Sequence, residues 1–347
     1  NAGSGEILYD HSGNGNHGTI NGATWSYEYD FIDGNNLISL PGTPENDDSQ
    51  YLANTMDSPV FILGQGQGLF NTEDGWSGNL TNMGKYTGYW INVGIAQDWT
   101  YLLDGETVDA ASNPYNLTDG NNLVSYLGQD GCPTMDALGN GDYNFILGQG
   151  QGLFNTADGW SGNLTTLYRG NGYWLNTNSY IENFQWSTEC YGEALAKEST
   201  IQEEYQVNQS TEQAFYLIEE IGIDGDSPQP EDLILAYHND MLIGSANYSE
   251  LTVLPIMGRD LSEQTEGFIE AGQVPSLKLY KSSTGEMINL EANLTEKLYS
   301  EQSTLNFKES RHSQKQNQNE DALCDLLDKL TSRLTKHAIL SFISHQS

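Results

Sequence analysis

The sequence predicts an all-β protein: tandem small β-repeat modules, then a β-sandwich, with an amphipathic helix at the C-terminal end. Three observations carry this. Strand-length apolar runs are bounded by Gly, Asn and Asp. No helical period is sustained before residue 300. Residues 61–81 (FILGQGQGLFNTEDGWSGNLT) recur at 145–165 with one change in 21 positions, Glu73 to Ala157. A near-perfect copy is the signature of a module duplicated for display or avidity, and a single active site is seldom built that way.

The elements follow in order. Residues 1–30 carry Asp10, His11, Ser12, Gly13, Asn14, Gly15, Asn16 and His17, a Gly- and Asn-rich stretch that reads as turns. Oxygen side chains at Asp10, Ser12, Asn14 and Asn16, with Gly15 at the sixth position, resemble the first half of a calcium loop. Position twelve is Asn21, however, and no Glu closes the loop, so a structural turn competes with calcium binding. Residues 31–115 and 116–186 form the two repeats. Asp33-Gly34-Asn35-Asn36-Leu37-Ile38-Ser39 pairs with Asp119-Gly120-Asn121-Asn122-Leu123-Val124-Ser125, and Gly88-Tyr89-Trp90 pairs with Gly172-Tyr173-Trp174. Residues 200–295 shift to longer apolar runs separated by turn clusters and read as the β-sandwich module. After residue 300 there is no Gly, Trp or Tyr. Leu323, Leu327, Leu330, Leu334 and Ala338 recur at helical spacing within 321–343. Residues 301–347 are therefore either an oligomerising helix or a tail foreign to the rest of the chain.

Composition narrows the function classes. The formal net charge of −35 and pI near 4.1 repel nucleic acid and anionic membranes, so neither nucleic-acid binding nor membrane insertion is expected. The Gly, Asn, Ser and aromatic bias suits turn-rich extracellular β-proteins and argues against disorder. Asn1 opens the chain with no leader or membrane-length apolar run, as in a mature form or a fragment. Three widely spaced cysteines encode no disulfide framework or zinc knuckle, although one bridge can join Cys132 and Cys190. No elbow serine, paired histidine or local nucleophile signature marks an enzyme. The run Gly64-Gln65-Gly66-Gln67-Gly68 follows an apolar stretch like a nucleotide loop, but no Lys follows and the continuation is another turn.

The binding candidates are aromatic: Trp76, Tyr89 and Trp90, with Trp160, Tyr173 and Trp174 in the second copy. Ring faces stack on the apolar face of a sugar while nearby Asn and Asp bind its hydroxyls. Core packing is the competing reading, strongest for Trp90 and Trp174, because one ring of a Gly-Tyr-Trp strand must face inward. No organic cofactor is expected; calcium is the candidate ion, at the Asp10 loop and more weakly at Glu45-Asn46-Asp47-Asp48, which otherwise reads as a solvated loop.

Two resemblances sharpen this. The segment from Asp10 to Thr19, with Gly22-Ala23-Thr24-Trp25, resembles the early strands of laminin-G-like, concanavalin A-like domains of bacterial secreted proteins, here as a remnant or linker. Asn36-Leu37-Ile38-Ser39, Ile62-Leu63-Gly64-Gln65-Gly66, Trp76-Ser77-Gly78-Asn79-Leu80-Thr81 and Gly88-Tyr89-Trp90 resemble repeats of large secreted or cell-surface proteins of marine bacteria, of the Bacteroidetes and related lineages. The resemblance implies an extracellular or cell-surface, non-enzymatic role in glycan or matrix binding or adhesion, with polysaccharide or cell-surface glycan as partner. The alternative is the accessory, non-catalytic region of a secreted glycosidase or peptidase.

Overall fold

The computed structural model describes residues 7–8, 17–19, 25–105, 107–108, 110–157, 159–191, 201–223, 227–293 and 337–343. The fold is all-β. Two short strands come first, β1 (Ile7–Leu8) and β2 (Gly18–Thr19). The first copy comprises β3 (Ser26–Phe31), β4 (Gly34–Ser39), α1 (Ser49–Ala53), β5 (Pro59–Gly64), β6 (Gln67–Thr72), β7 (Gly75–Gly78), β8 (Gly88–Val93) and β9 (Gln97–Leu102). The second comprises β10 (Tyr115–Leu117), β11 (Gly120–Ser125), β12 (Cys132–Pro133), α2 (Thr134–Leu138), β13 (Tyr143–Gly148), β14 (Gln151–Thr156), β15 (Gly159–Gly162), β16 (Thr166–Leu167), β17 (Gly172–Thr177) and β18 (Ile181–Phe184). The remaining strands are β19 (Gln213–Gly222), β20 (Leu233–His238), β21 (Met241–Asn247), β22 (Thr252–Met257), β23 (Ser276–Lys281), β24 (Glu286–Leu290), β25 (Ala292–Asn293) and β26 (His337–Ile343). They fall into two compact units, 1–142 with 165–195 and 143–164 with 196–347.

In the first unit, the first copy forms an antiparallel sheet in the order β4-β8-β5-β6-β7, with β3 and β9 paired separately. Its core collects Ile38, Ile62, Leu69, Tyr89 and Ile91 from alternate positions of the sheet and Phe31, Trp99 and Tyr101 from the β3–β9 ribbon. Tyr29 stacks on Trp99 with ring centroids 5.5 Å apart.

The Asp-Gly-Asn-Asn motif is a strand-opening turn. Asn36 Oδ1 accepts from Ile32 N (3.0 Å) and its Nδ2 donates to Ile32 O and Gly34 O, with Gly34 at φ 90°. Asn122 repeats this on Thr118 and Gly120.

The same unit brings strands of the two copies together reciprocally. Ser39 N donates to Gly170 O (2.7 Å), and the equivalent Ser125 N donates to Tyr86 O (3.2 Å). Ile38 bridges Asn171, and the equivalent Val124 bridges Thr87. Contacts that swap in this way are those of an isologous pair, here within one chain. They also account for the glycine of Gly-Tyr-Trp: a Cβ on Gly172 would lie 2.5 Å from Ile38 O, and one on Gly88 2.9 Å from Leu123 Cδ1. Gln65 of the Gly-Gln-Gly-Gln-Gly run joins the seam, accepting from Leu123 N and donating to Asn121 O, each at 2.8 Å. Cys132 and Cys190 are disulfide-bonded, closing α2 against the segment after β18.

In the second unit, β13, β14 and β15 form a meander, and Phe154 of β14 meets Phe215 of β19 with centroids 5.7 Å apart. Beyond it, the sheet β21-β20-β23-β24 and the sheet containing β22-β19-β26-β25 share one core of Ile218, Ile234, Ile243, Leu254, Ile256 and Leu279. The helix expected over 321–343 does not extend through its last seven residues. His337–Ile343 is strand β26, paired in parallel with β19 and antiparallel with β25; residues 321–336 lie outside the described ones. Of the periodic residues only Ala338 falls in this segment, whose Ile339, Phe342 and Ile343 suit a strand, and pairing it along the ten-residue β19 satisfies that strand's backbone donors and acceptors.

Asp260 fastens this unit's loops. Its carboxylate accepts from Thr211 N (2.8 Å), Ser262 N (2.8 Å), Ser262 Oγ (2.6 Å) and Thr265 Oγ1 (2.7 Å). Burial pushes its pKa up, but these hydrogen bonds together outweigh burial and hold it below the usual aspartate value. A depressed folded-state pKa contributes stability that is complete above the unfolded-state value and is lost as pH falls through the folded one. Urea midpoints are therefore expected to drop for the native protein as pH falls below about 4. The Asp260→Asn variant should start about 2–3 kcal/mol less stable at neutral pH and lose less on acidification; equal acid sensitivity would show that Asp260 is not the group responsible.

Candidate aromatic binding hairpins

The six aromatic candidates separate sharply by burial. Tyr89 (3% exposed), Trp90 (4%), Tyr173 (2%) and Trp174 (7%) lie in the interior. The strands β8 and β17 that carry them are covered on both faces, so both rings of each Gly-Tyr-Trp face packed protein. Tyr89 Oη accepts from Gly84 N (2.7 Å) and Tyr173 Oη from Tyr168 N (2.9 Å); burial pushes both phenols up, so they stay protonated as structural braces. Trp90 Nε1 and Trp174 Nε1 are buried without a hydrogen-bond acceptor. These four side chains offer no open face to a sugar, which corrects their candidacy as stacking platforms.

Trp76 and Trp160 are different. Both are half-buried on short hairpins that the duplicated sequence builds in the same way. In the first copy Asn71 is opposite Trp76 and Thr72 opposite Gly75, with Glu73 and Asp74 forming the two-residue tip. Thr72 Oγ1 donates to Gly75 O (2.6 Å) and Asn71 Nδ2 to Pro59 O (2.9 Å). In the second copy Thr156 Oγ1 donates to Gly159 O (2.7 Å) and Asn155 Nδ2 to Tyr143 O (3.0 Å). The far end of each hairpin is locked by an asparagine: Asn79 Oδ1 accepts from Gly68 N (2.9 Å), and Asn163 Oδ1 from Gly152 N (2.8 Å).

Trp76 is further oriented by α1. Its indole Nε1 donates to Asn54 Oδ1 (2.8 Å), and part of the ring packs on the first core. Asn54 is fixed as the residue closing α1, its N–H donating to Gln50 O (3.0 Å). At the helix start, Asp48 Oδ1 accepts from Tyr51 N (2.7 Å), and Ser49 Oγ donates to Leu80 O beyond the hairpin. The indole is thus held by its N–H and by the core, half-exposed, with Asn71 opposite it in register. Asn54 had no signal in the repeat comparison, since α2 ends on Gly139 instead.

Asp10, Ser12, Asn14 and Asn16 lie outside the described residues. Among the described residues no cluster of three or more His, Cys, Asp or Glu side chains is placed to hold a metal, and no helix is long and apolar enough to cross a membrane. The chain matches no protein-family model, no curated protein and no solved structure.

Proposed function

We propose that the chain is a non-enzymatic extracellular binding module that takes glycan on two duplicated tryptophan hairpins. One observation carries the reading: the near-identical copies each leave one tryptophan, Trp76 or Trp160, half-exposed on a braced hairpin, while the repeated Gly-Tyr-Trp aromatics are interior. Sugar rings stack on such faces, and neighbouring amides bind hydroxyls. The Cys132–Cys190 bridge supports an oxidising compartment, in keeping with a secreted or cell-surface location. The resemblance of the repeats to those of bacterial surface proteins points the same way.

Retention on insoluble polysaccharides tests it. Trp76→Ala with Trp160→Ala should abolish retention while the circular dichroism spectrum stays that of a folded β-protein. Each single variant should bind about 100-fold more weakly than the parent, the scale set by losing one of two linked sites. Full retention by the folded double variant would refute the reading.

A further inference from the structure

We infer that the glycan taken at Trp76 is uncharged, and that Trp160 discriminates less against anionic sugars; this rests on the glycan-binding reading above. Within 25–105 the sequence carries eleven Asp and Glu against the single base Lys85. Within 110–191 it carries seven against the single base Arg169. Three of the acids belong to the elements that carry and hold Trp76. Glu73 and Asp74 form the exposed tip of the hairpin that bears Trp76, and exposed Asp48 caps the helix that ends in its partner Asn54. Neither base is placed to offset them. Lys85 lies over the Tyr86 ring, Nζ 5.3 Å from the centroid, and the Arg169 guanidinium donates to Leu127 O and Gly128 O.

The one difference in the 21 duplicated positions, Glu73 against Ala157, falls on this tip. The two hairpin sequences are otherwise identical and differ at the tip by one negative charge, while the Asn54 brace and Asp48 belong to the first copy alone. A polymer of uronate or sulfate groups brings repeated like charge against the first hairpin, and the repulsion reaches about 30 Å at 0.01 M salt but only about 3 Å at 1 M. A neutral polysaccharide meets no such field, and its binding should be indifferent to salt.

Retention of the whole chain on an insoluble neutral β-glucan and on a calcium-free polyuronate gel, at about 0.01 M and about 1 M sodium chloride, reads this directly. The expected result is salt-independent retention on the glucan and at least ~10-fold weaker retention on the polyuronate at low salt, with the gap narrowing at high salt. Glu73→Gln should narrow the low-salt gap and Ala157→Glu should widen it, both leaving the glucan result unchanged. Polyuronate held as tightly as glucan at low salt, or a gap indifferent to both substitutions, would overturn the charge inference while leaving glycan binding intact. Retention on neither polymer would sink both.

Discussion

Gly78→Ala and Gly162→Ala are each expected to cost about 4 kcal/mol, near the upper end for single substitutions. Gly78 has φ 152°, and a Cβ built there lies 2.0 Å from Gly68 O; at Gly162 (φ 153°) the distance to Gly152 O is 2.1 Å. Neither obstruction is a side chain that can turn aside. Both are carbonyls that accept from the next two backbone N–H groups, Asn79 and Leu80 in one copy and Asn163 and Leu164 in the other. Relieving the clash therefore breaks the lock that sets the hairpin. Gly75→Ala is the matched comparison: φ is 104°, but nothing lies within 4 Å of the new Cβ, so only the backbone strain of about 1–2 kcal/mol remains. Urea unfolding checks this through the midpoints. Equal losses at Gly75 and Gly78 would mean that the carbonyl contact is not what fixes the glycine.

The second large effect is expected from the disulfide. Cys132 and Cys190 are 58 residues apart, and closing a loop of that length removes about 4 kcal/mol of chain entropy from the unfolded state. Cys132→Ser with Cys190→Ser, measured by thermal unfolding, should lose most of that. The parent under reductant should approach the variant, whereas a variant as stable as the oxidised parent would show that the bridge contributes nothing.

Much of the fold was legible because the sequence is written twice. The period-2 alternation and the Gly, Asn and Asp punctuation mark the strands, and Asn36 and Asn122 behave as their turn motifs require. The Gly-Gln-Gly-Gln-Gly run is a β-turn, with Gly66 at φ 70° opening the β5–β6 hairpin. The site was legible only in part. Repetition marks Tyr89, Trp90, Tyr173 and Trp174 as strongly as Trp76 and Trp160, because a residue repeated for packing leaves the same trace as one repeated for binding. Strands covered on both faces hide the difference, since alternation no longer separates inside from outside. Asn54, which orients Trp76, is absent from the second copy and so leaves no trace in the repeat. The end of the chain misleads for another reason. The periodic leucines all precede residue 337, and the helical period is carried into His337–Ile343 by Ala338 alone, whereas that Ile- and Phe-containing run pairs along β19.

The most direct measurement is the indole N–H region of a proton–nitrogen correlation spectrum, titrated with soluble neutral glucan oligosaccharide. Seven tryptophans give seven signals, assigned by single Trp→Phe variants. The expected result is that Trp76 and Trp160 shift while Trp90, Trp174 and the buried Trp99 and Trp186 stay still. Shifts at Trp90 or Trp174 with none at the hairpins, or no shift at any of the seven under saturating sugar, would contradict it.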